Sequence, residues 1–469
     1  MCGIAGFCNF KEDFEENTDY WNFRLEKMRA VLAHRGNDAR GRFLKKHIGL
    51  SHSRLAIRDI LCGDQPMTRT HNGYDYTICY NGEIYNTDEL IPELSENGFV
   101  CSTTSDTEVI LYAYIHWGAD FVNRLNGIFA FAIWDAAKSR LLLYRDRVGV
   151  KPLFYAIRGD SLVFGSEPKA CFAHPAVKPE LDKQGLQELL AIGPAHTSGL
   201  SLFKDLFEVL PGHFMIYSRD GLHDETYWEL TSREHTESYR DTVAHTRFLV
   251  EDAIKRQMVS DVPVCTFLSG GIDSSIVTAI AANYMNTRGK TLNTFSFDFK
   301  DNDRYFKANA FQPERDLPYV NRMLEEYETA HSYLECDENS LFKALFAAVD
   351  AKDMPGMTDV DSSLLYFCSL VSRKNKVALT GECADEIFGG YPWFYRKELL
   401  ERYGFPWSSD VAPRLALLRD DVSLELDLSG YQAFRYEESR SKAPLLYGET
   451  GEDESRRIIG YLNIKWFMQ

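Results

Sequence analysis

Residues 262–275, VPVCTFLSGGIDSS, decide how the second half of the chain folds. VPVCTFL is a short apolar run typical of a buried strand, and the glycine-containing turn after it opens into an apolar helix, IVTAIAANYM, at 276–285. Further strand-like runs follow at 291–299, TLNTFSFDF, and at 376–381, KVALTG, and the latter leads into a helix, CADEIFGGY, at 383–391. Because strands that alternate with helices pair in parallel, we predict an α/β parallel sheet with ligands at the carboxyl ends of its strands.

Residues 1–210 show a different pattern, in which short strands alternate with turns. Alternating apolar positions and many β-branched and aromatic residues occur in HIGLSHSRLAI, YDYTICYNGEIYN and SLVFGSEPKA. We therefore predict a largely antiparallel, β-rich domain over 1–210, with a few helices such as 107–117. A Pro-Gly pair punctuates its end, so we place a linker at 211–240 and a second domain at 241–469.

The composition excludes several classes of protein. The 469 residues carry a formal net charge of -17 and no run of Lys and Arg, which argues against nucleic acid as a partner. No apolar stretch approaches the ~18 residues of a membrane helix, and the charged cluster KEDFEEN stands where a signal peptide would be apolar. The ten cysteines are scattered without metal-type spacing, so free thiols in a reducing, cytoplasmic compartment fit best.

The end of the chain, SRRIIGYLNIKWFMQ at 455–469, is apolar on nearly all sides. A helix tolerates such a pattern only where it is buried. Two interpretations stay open: a docked terminal helix, or a natural chain that continues past Gln469, so that the second domain is truncated here.

The beginning of the chain, MCGIAGF, suggests an N-terminal nucleophile. Once the initiator methionine is removed, the α-amine of Cys2 titrates at about 7.7 to 8.0 and takes the proton of a thiol that titrates at about 8.5. Asn81 offers a side-chain amide, and Gly82 a backbone N–H, to the oxyanion that forms when a thiolate attacks a carbonyl. Arg54 can bind a carboxylate and Asp106 an ammonium, so the set describes a glutamine site.

Each of these residues also has an ordinary structural explanation. A buried cysteine is a small apolar side chain, and an Asn-Gly pair is usually a hairpin turn. Arg54 alone fits a surface charge, and Asp106 alone fits a helix N-cap. The residues by themselves leave both interpretations open.

Seven motifs, in this order, resemble the glutaminase domain of class II glutamine amidotransferases: MCGIAGF, HRGND, GDQPM, NGEIYN, SDTEV, RDRVGVKPLFY and FGSEPKA. The resemblance implies an α+β N-terminal-nucleophile hydrolase domain, with stacked antiparallel sheets between helices. The roles it implies are nucleophile and base for Cys2, oxyanion hole for Asn81 and Gly82, and glutamine contacts for Arg54, Asn81, Gly82, Glu83 and Asp106. Asn37 stands where the family usually has proline, which affects the rigidity of the loop more than the chemistry.

LSGGIDSS at 268–275 has the donors of a phosphate-binding loop, although it is not a Walker motif. The donors are the backbone N–H groups of Gly270 and Gly271, the N-terminus of the following helix, and the hydroxyls of Ser269, Ser274 and Ser275. Asp273 would repel a phosphate unless Mg²⁺ lies between them. A Ser/Gly turn capped by Asp273 is the structural alternative.

LTGECADEIFGGY at 379–391 carries two acidic residues just beyond a strand. If the helix starts there, Glu382 and Asp385 share a face, because they are three residues apart. Asp385 then fits as a second Mg²⁺ ligand, and Glu382 as the group that orients or deprotonates an attacking amine. Stabilisation of a helix N-terminus is the alternative, but the pairing with Asp273 at a second strand end favours one metal–pyrophosphate site.

SDVPVCTFLSGGIDSS, DMPGMTDVDSSLLYF and LTGECADEIFGGYPWF resemble the synthetase domain of the glutamine-hydrolysing asparagine synthetase family, an ATP-pyrophosphatase fold. The ATP contacts that the resemblance implies are Leu268, Ser269, the backbone near Phe297, Thr380 and Gly381. Thr380 is commonly serine in that family, a conservative change. The family continues past Gln469 into helices with an arginine and serine segment and a lysine that neutralises pyrophosphate charge. We therefore expect glutaminase activity from this chain, and impaired synthetase turnover.

The resemblance implies that ATP and Mg²⁺ serve a synthesis of asparagine from aspartate, with ammonia from glutamine passing through an internal channel and AMP and pyrophosphate as products. A homodimer is compatible with it. One alternative is the amidation of another carboxylate, such as a sugar acid or a peptide or antibiotic precursor, with residues 359–363 in the acceptor pocket. A non-catalytic binding module would have lost Cys2, Asp273 or Asp385, and all three are present. A phosphoribosyl or hexosamine acceptor is disfavoured, because LSGGIDSS is typical of adenylating enzymes.

Overall fold

The structure, a computed structural model, describes residues 1–308, 314–408 and 410–468. These residues form two compact units. The N-terminal unit comprises residues 1–231, 407–442 and the segment from 464 onward, and the second unit comprises residues 232–406 and 443–463.

The N-terminal unit contains two six-stranded antiparallel sheets. Its strands are β1 Gly3–Asn9, β2 Ala39–Lys45, β3 Ile48–Arg54, β4 Met67–His71, β5 Tyr74–Ile84, β6 Gly127–Asp135, β7 Arg140–Arg145, β8 Phe154–Arg158, β9 Ser161–Gly165, β10 Phe207–Glu208, β11 His213–Ser218 and β12 Gly221–Thr226. The first sheet has the order β10-β8-β9-β1-β3-β2, and the second has the order β12-β11-β7-β6-β5-β4. The candidate glutamine site includes Cys2, directly before β1 of the first sheet, and Asn81 and Gly82 on β5 of the second sheet.

The helices are numbered along the chain. They are α1 Thr18–Ala30, α2 Thr87–Glu96, α3 Asp106–Trp117, α4 Pro168–Phe172, α5 Lys183–Gln187, α6 Tyr239–Arg256, α7 Ile272–Asn286, α8 Asn302–Tyr305, α9 Leu317–Glu326, α10 Glu338–Lys352, α11 Thr358–Val371, α12 Ala384–Phe388, α13 Lys397–Leu400, α14 Ala412–Leu415, α15 Asp420–Leu426, α16 Leu428–Ser441 and α17 Glu452–Asn463. In the described part of the chain, none of them combines the length and the hydropathy that crossing a membrane requires.

The two antiparallel sheets stack face to face between helices. Along β1, Ile4 and Cys8 point into the core between the sheets, while Ala5 and Phe7 point outward, as the period of two in a strand requires. Helices α1 and α4 cover the outer face of the first sheet, and α2 and α3 cover that of the second. The predicted N-terminal-nucleophile fold is therefore confirmed.

The second unit contains a four-stranded parallel sheet with the order β15-β14-β13-β16. Its strands are β13 Val264–Phe267, β14 Leu292–Phe299, β15 Thr329–Cys336 and β16 Val377–Leu379. The predicted parallel sheet is confirmed, although strand β15 was not predicted from the sequence. The chain places β14 on one side of β13 and β16 on the other, so a crevice opens at the carboxyl ends of β13 and β16.

Residues 407–442 belong to the N-terminal unit, although in sequence they lie between the two segments of the second unit, 232–406 and 443–463. Glu188, which is fully buried after α5, accepts a hydrogen bond from the Tyr431 hydroxyl and lies 3.4 Å from the Arg435 guanidinium. Arg414 donates to the Gly193 carbonyl at 2.8 Å. Near the end of the chain, Trp466 is buried and donates to Ser439 Oγ at 3.2 Å, so this apolar side chain is covered.

Candidate active sites

Cys2 lies directly before the central strand β1 of the first sheet. The backbone N–H of Leu55 donates to its Sγ at 3.4 Å, and Arg35 Nε donates to its carbonyl at 2.9 Å. Arg35 is itself held by Glu167, with Nη1 and Oε1 2.7 Å apart. Burial raises the pKa of the Cys2 thiol and lowers that of the neighbouring Met1 α-amine to about 5. The amine beside the Cys2 thiol in this chain is the Met1 α-amine, which is neutral at pH 7. The α-amine of Cys2 itself becomes free to act as a base once Met1 is removed.

Asn81 and Gly82 lie inside strand β5, so the Asn-Gly pair is not a hairpin turn. Asn81 is 1% exposed, and its Nδ2 has no hydrogen-bond partner among the described residues. A buried donor without a partner costs free energy, which a developing oxyanion would recover. A Cβ at Gly82 would lie 2.3 Å from the Ile128 carbonyl oxygen, so cross-strand packing by itself requires glycine here.

The Arg54 guanidinium is bonded within the protein. It donates to the carbonyls of Arg58 at 3.3 Å and Ile60 at 3.1 Å, and to the Asp64 carboxylate at 3.1 Å. It also donates to the Asp59 carbonyl. Arg54 therefore shapes the loop after β3, and its contact with a glutamine carboxylate stays a prediction.

Asp106 is the first residue of α3, and the N-cap is Ser105, so the capping explanation for Asp106 is wrong. Its Oδ2 accepts from the Tyr80 hydroxyl at 2.8 Å and from the Ile84 N–H at 3.0 Å. Burial and then the Asp106 carboxylate raise the pKa of Glu83 to about 8. Arg58 already places a cation here, with its Nη1 3.9 Å from Asp106 Oδ2, so the contact of these acidic groups with a ligand ammonium stays a prediction.

Arg35, Lys151 and Glu167 were not predicted as site residues, although all three lie in motifs that carry the resemblance. Lys151 is buried, and its Nζ lies 3.1 Å from Met1 Sδ. Burial lowers its pKa, and the Arg35 charge lowers it further. The motifs RDRVGVKPLFY and HRGND were the signal for these cations, but spacing alone could not place them beside Cys2.

The loop LSGGIDSS connects β13 to α7, as predicted. Gly270 has a φ of +88°, a left-handed conformation that glycine adopts without strain, and Gly271 is the N-cap of α7. The Ser269 N–H donates to Ser274 Oγ at 3.2 Å, and their hydroxyls lie 3.0 Å apart. The Ser275 N–H donates to the Gly271 carbonyl at 3.0 Å, so the backbone N–H groups at the start of α7 that can bind an anion belong to the residues before it, and Ser275 offers its hydroxyl.

Asp273 and Asp385 come together at the carboxyl ends of β13 and β16. Burial and then the Asp385 carboxylate raise the pKa of Asp273. A Cβ at Gly381 would lie 2.7 Å from the Ser274 nitrogen, so the loop after β16, which also carries Thr380, packs directly on the start of α7. No set of three His, Cys, Asp or Glu side chains within residues 1–308, 314–408 and 410–468 forms a metal cage. Two carboxylates nevertheless fit Mg²⁺, which in phosphate sites keeps waters and phosphate oxygens as its other ligands.

The expected common helical face for Glu382 and Asp385 is wrong. Helix α12 begins at Ala384, because Cys383 adopts a left-handed φ of +71° and separates the two residues. Glu382 therefore precedes the helix and lines a neighbouring cavity instead.

This cavity, of about 390 Å³, lies at the carboxyl ends of β13 and β14. Its lining includes Leu268, Ser269, Ser296, Phe297, Asp298, Arg315, Val360, Ser363 and Glu382. The ring of Phe297 stacks on Phe367 at 4.2 Å. Val360 and Ser363 belong to the segment we associated with the acceptor, whereas Ser296 and Asp298 on β14, and Arg315 just before α9, were not predicted from the sequence.

The family described as "Glutamine amidotransferase domain" matches residues 1–228, and the family described as "Asparagine synthase" matches residues 245–469. Asparagine synthetase [glutamine-hydrolyzing] 3 of Bacillus subtilis is 47% identical over the whole chain and 75% of its own length. Asparagine synthetase [glutamine-hydrolyzing] 1 of the same organism is 32% identical over 85% of the chain and 60% of its own length. Amidase chyE of Penicillium rubens is 30% identical over 99% of the chain and 68% of its own length. The chain belongs to the glutamine-hydrolysing asparagine synthetase family.

Proposed function

We propose that this protein synthesises asparagine from aspartate, using ATP and the ammonia it releases from glutamine, with glutamate, AMP and pyrophosphate as the other products. The observation that carries the proposal is that one chain holds two separate sets of groups. Cys2 lies in the N-terminal sandwich with Asn81, whose Nδ2 has no hydrogen-bond partner among the residues that the structure describes. Asp273 and Asp385 meet at the ends of a parallel sheet, beside a phosphate-type loop.

In the proposed glutaminase reaction, Met1 has been removed and the α-amine of Cys2 takes the thiol proton. Sγ attacks the side-chain amide carbon of glutamine, and the Asn81 Nδ2 and Gly82 N–H groups stabilise the oxyanion. The C–N bond breaks as the leaving nitrogen takes the proton from the Cys2 α-ammonium and departs as ammonia. Water then hydrolyses the thioester to glutamate. Arg54, Glu83 and Asp106 hold the α-carboxylate and α-amine of glutamine in this proposal.

In the proposed synthetase reaction, the aspartate β-carboxylate displaces pyrophosphate from the α-phosphorus of ATP. Ammonia then attacks the acyl-adenylate and displaces AMP, while Glu382 orients it or accepts its proton. The proposed ATP contacts are Leu268, Ser269, Gly270, Gly271, Asp273, Ser274, Ser275, Phe297, Thr380 and Gly381. Asp273 and Asp385 would hold Mg²⁺, which supplies positive charge that balances the pyrophosphate. Hydrolysis without an acyl-adenylate wastes glutamine, so we also propose that the two sites are coupled.

A second candidate is the amidation of a carboxylate other than aspartate. The similarity to Amidase chyE over nearly the whole chain favours keeping it, since the acceptor depends on cavity residues rather than on either motif. Location in the cytoplasm and assembly as a homodimer stay predictions.

The test measures glutamate, pyrophosphate and AMP in the natural full-length protein, with glutamine or ammonium and a panel of carboxylates. We expect aspartate to support pyrophosphate release. The Cys2→Ala variant should lose the glutamine-driven reaction and keep the ammonium-driven one. Loss of both reactions in a folded variant would contradict the division of labour, and a preference for a sugar acid or peptide would select the second candidate. A mass spectrum establishes whether Met1 has been removed.

A further inference from the structure

On the side of β4, strand β5 loses its partner just before the candidate oxyanion donor, while its pairing with β6 on the other side continues to Ile84. Its pairing with β4 ends at Ile78, opposite Met67, two residues before Tyr80. Side chains take the place of the missing strand at Tyr80. Gln65 Oε1 accepts from the Tyr80 N–H at 2.6 Å, and His52 Nε2 donates to the Tyr80 carbonyl at 3.0 Å. Both backbone groups of Tyr80 are thus fixed by side chains from other elements.

His52 joins the two stacked sheets through this bond. It lies on β3 of the first sheet, directly opposite Ile4 of β1, and so two residues along the register from Cys2. Tyr80 lies on β5 of the second sheet, directly before Asn81. The His52–Tyr80 hydrogen bond therefore connects the strand beside the nucleophile to the strand that carries the oxyanion donor.

The bond also fixes the chemical state of His52. A carbonyl oxygen only accepts, so Nε2 carries the proton and Nδ1 does not. Nδ1 is buried without a hydrogen-bond partner in the described part of the chain, and the side chain is fully buried. Burial, and then the Arg54 charge two residues along β3, lower the pKa of His52 to about 4. A neutral imidazole of this kind holds geometry and does not exchange protons at neutral pH.

We propose that His52 is a positioning residue for the oxyanion donor: its neutral imidazole sets the separation between the two sheets at which Asn81 Nδ2 faces the carbonyl that Cys2 attacks. The inference rests on the proposed glutaminase function. Gln65 supports the same position through the Tyr80 N–H, and its Nε2 donates to Thr107 Oγ1 on α3 at 3.2 Å.

The Tyr80 hydroxyl provides an internal comparison, because it bonds to Asp106 rather than to the backbone of β5. Its removal should affect the binding of the substrate ammonium, which is equal in ground state and transition state. Removal of the His52 bond should affect only the stabilisation of the transition state. A variant without the Tyr80 hydroxyl should therefore change KM, and a variant without the His52 hydrogen bond should change kcat.

The experiment compares His52→Gln with His52→Asn in glutamine hydrolysis. Gln places an amide N–H near the position of Nε2, whereas Asn is too short to reach the Tyr80 carbonyl. We expect His52→Asn to lower kcat by about ten- to a hundredfold with KM nearly unchanged, since small misplacements at an oxyanion hole have effects of that order. His52→Gln should stay within about threefold of the wild type and keep its pH profile, as a neutral hydrogen-bond donor requires. Tyr80→Phe should raise KM for glutamine and leave kcat unchanged.

Near-UV circular dichroism and thermal unfolding identify variants that have lost the fold. If His52→Asn does not fold, Gln65→Met replaces it, because this variant removes the second bond to Tyr80 and should lower kcat in the same way. Wild-type kcat in either folded variant overturns the proposal. A His52→Gln variant that is as slow as His52→Asn, or that loses a limb of the pH profile, also overturns it.

The same measurements distinguish a failure of the proposed function from a failure of the positioning proposal. It fails if the wild-type protein, with Met1 removed, does not hydrolyse glutamine, or if Cys2→Ala still does. The positioning proposal fails when the wild type is active, Cys2→Ala is inactive and the His52→Asn variant matches the wild type.

Discussion

The two candidate sites differ in how much of their geometry the protein itself supplies. In the N-terminal sandwich, Arg54 and Asp106 are each 5% exposed and already carry several hydrogen bonds. In the second unit, Ile272 at the start of α7 is 76% exposed, and Ser269 and Ser274 bond mainly to each other. The first site is built before its ligand arrives. The second leaves its loop donors and its acidic pair for the ligand to complete.

The architectures explain this difference. The candidate glutamine site is formed by residues of two stacked six-stranded sheets, and helices cover both outer faces of this sandwich. The candidate nucleotide site lies on turns at the edge of a single four-stranded sheet. Burial strengthens electrostatic interactions and makes unpaired groups costly, so side chains in the sandwich should be the more sensitive to substitution.

The largest effect on stability should come from Glu208→Gln in the sandwich. Glu208 is 2.7 Å from Arg145 and 3.1 Å from His196, and both charged members of the Arg145 pair are buried. Removing one partner leaves a buried guanidinium uncompensated, which typically costs about 3–5 kcal/mol. Urea unfolding monitored by fluorescence measures this loss. A cost below about 1 kcal/mol would contradict the comparison.

The same residue predicts acid sensitivity. Burial alone would raise the pKa of Glu208, but Arg145 and His196 outweigh it and lower the pKa to about 2 from the ordinary 4.5. Its stabilisation is therefore complete above pH 4.5 and is lost as the pH falls toward 2. The difference corresponds to about 3 kcal/mol. Glu208→Gln should remove this part of the pH dependence of unfolding.

The next effect contrasts two glycines. Gly82→Ala places a Cβ 2.3 Å from the Ile128 carbonyl and should destabilise the protein by about 2–3 kcal/mol. At Gly271, a Cβ would meet only Ser269 Oγ at 3.6 Å, and φ is -67°. Gly271→Ala meets no clash, but alanine is a poorer N-cap than glycine, so the variant should lower the free energy of unfolding by less than about 1 kcal/mol. Equal effects in thermal unfolding would remove the contrast between the sites.

Asp273→Asn should show that the second site depends on its ligand. We expect at least a tenfold loss of MgATP affinity, by about 1.4 kcal/mol, together with unchanged or slightly higher stability, because repulsion from Asp385 is removed. Titration calorimetry with and without Mg²⁺ measures the affinity. Asp303→Asn, at an exposed position on α8, is the matched control. Equal affinity in both variants would contradict the proposed metal role.

The smallest effect should come from Lys352→Met in the second unit. The Lys352 ammonium lies 2.8 Å from Asp361, almost the Arg145–Glu208 distance, but Lys352 is half exposed. Solvent screens such pairs, so the loss should stay below about 1 kcal/mol in urea unfolding. A loss as large as that of Glu208→Gln would mean that distance, and not burial, sets the strength of these ion pairs.

The sequence predicted the features that follow from local pattern. The apolar run before LSGGIDSS and the helix after it were found at β13 and α7. It missed β15, whose residues 329–336, TAHSYLEC, neither alternate strictly between polar and apolar side chains nor form a continuous apolar run. It also misplaced the start of α12, because nothing local announces the left-handed conformation of Cys383.

The features that sequence could not predict depend on register between distant strands. The need for glycine at position 82 comes from Ile128, and the bonds of Tyr80 come from His52 and Gln65. Motifs identified the residues around Cys2, but only the paired sheets show which of their donors are already used. Asn81 Nδ2 has no partner among the described residues, whereas Arg54 has several.

The return of residues 407–442 to the N-terminal unit limits how this protein can be divided by genetic engineering. A gene fragment that ends at residue 231 would omit Tyr431 and Arg435, and the buried Glu188 carboxylate would lose its hydrogen bond from Tyr431 and its ion pair with Arg435 while keeping its bonds from Thr197. The glutaminase domain therefore cannot be exchanged between enzymes at a single junction in the sequence. A functional chimera must carry the later segment from the same parent, inserted at its own place in the chain.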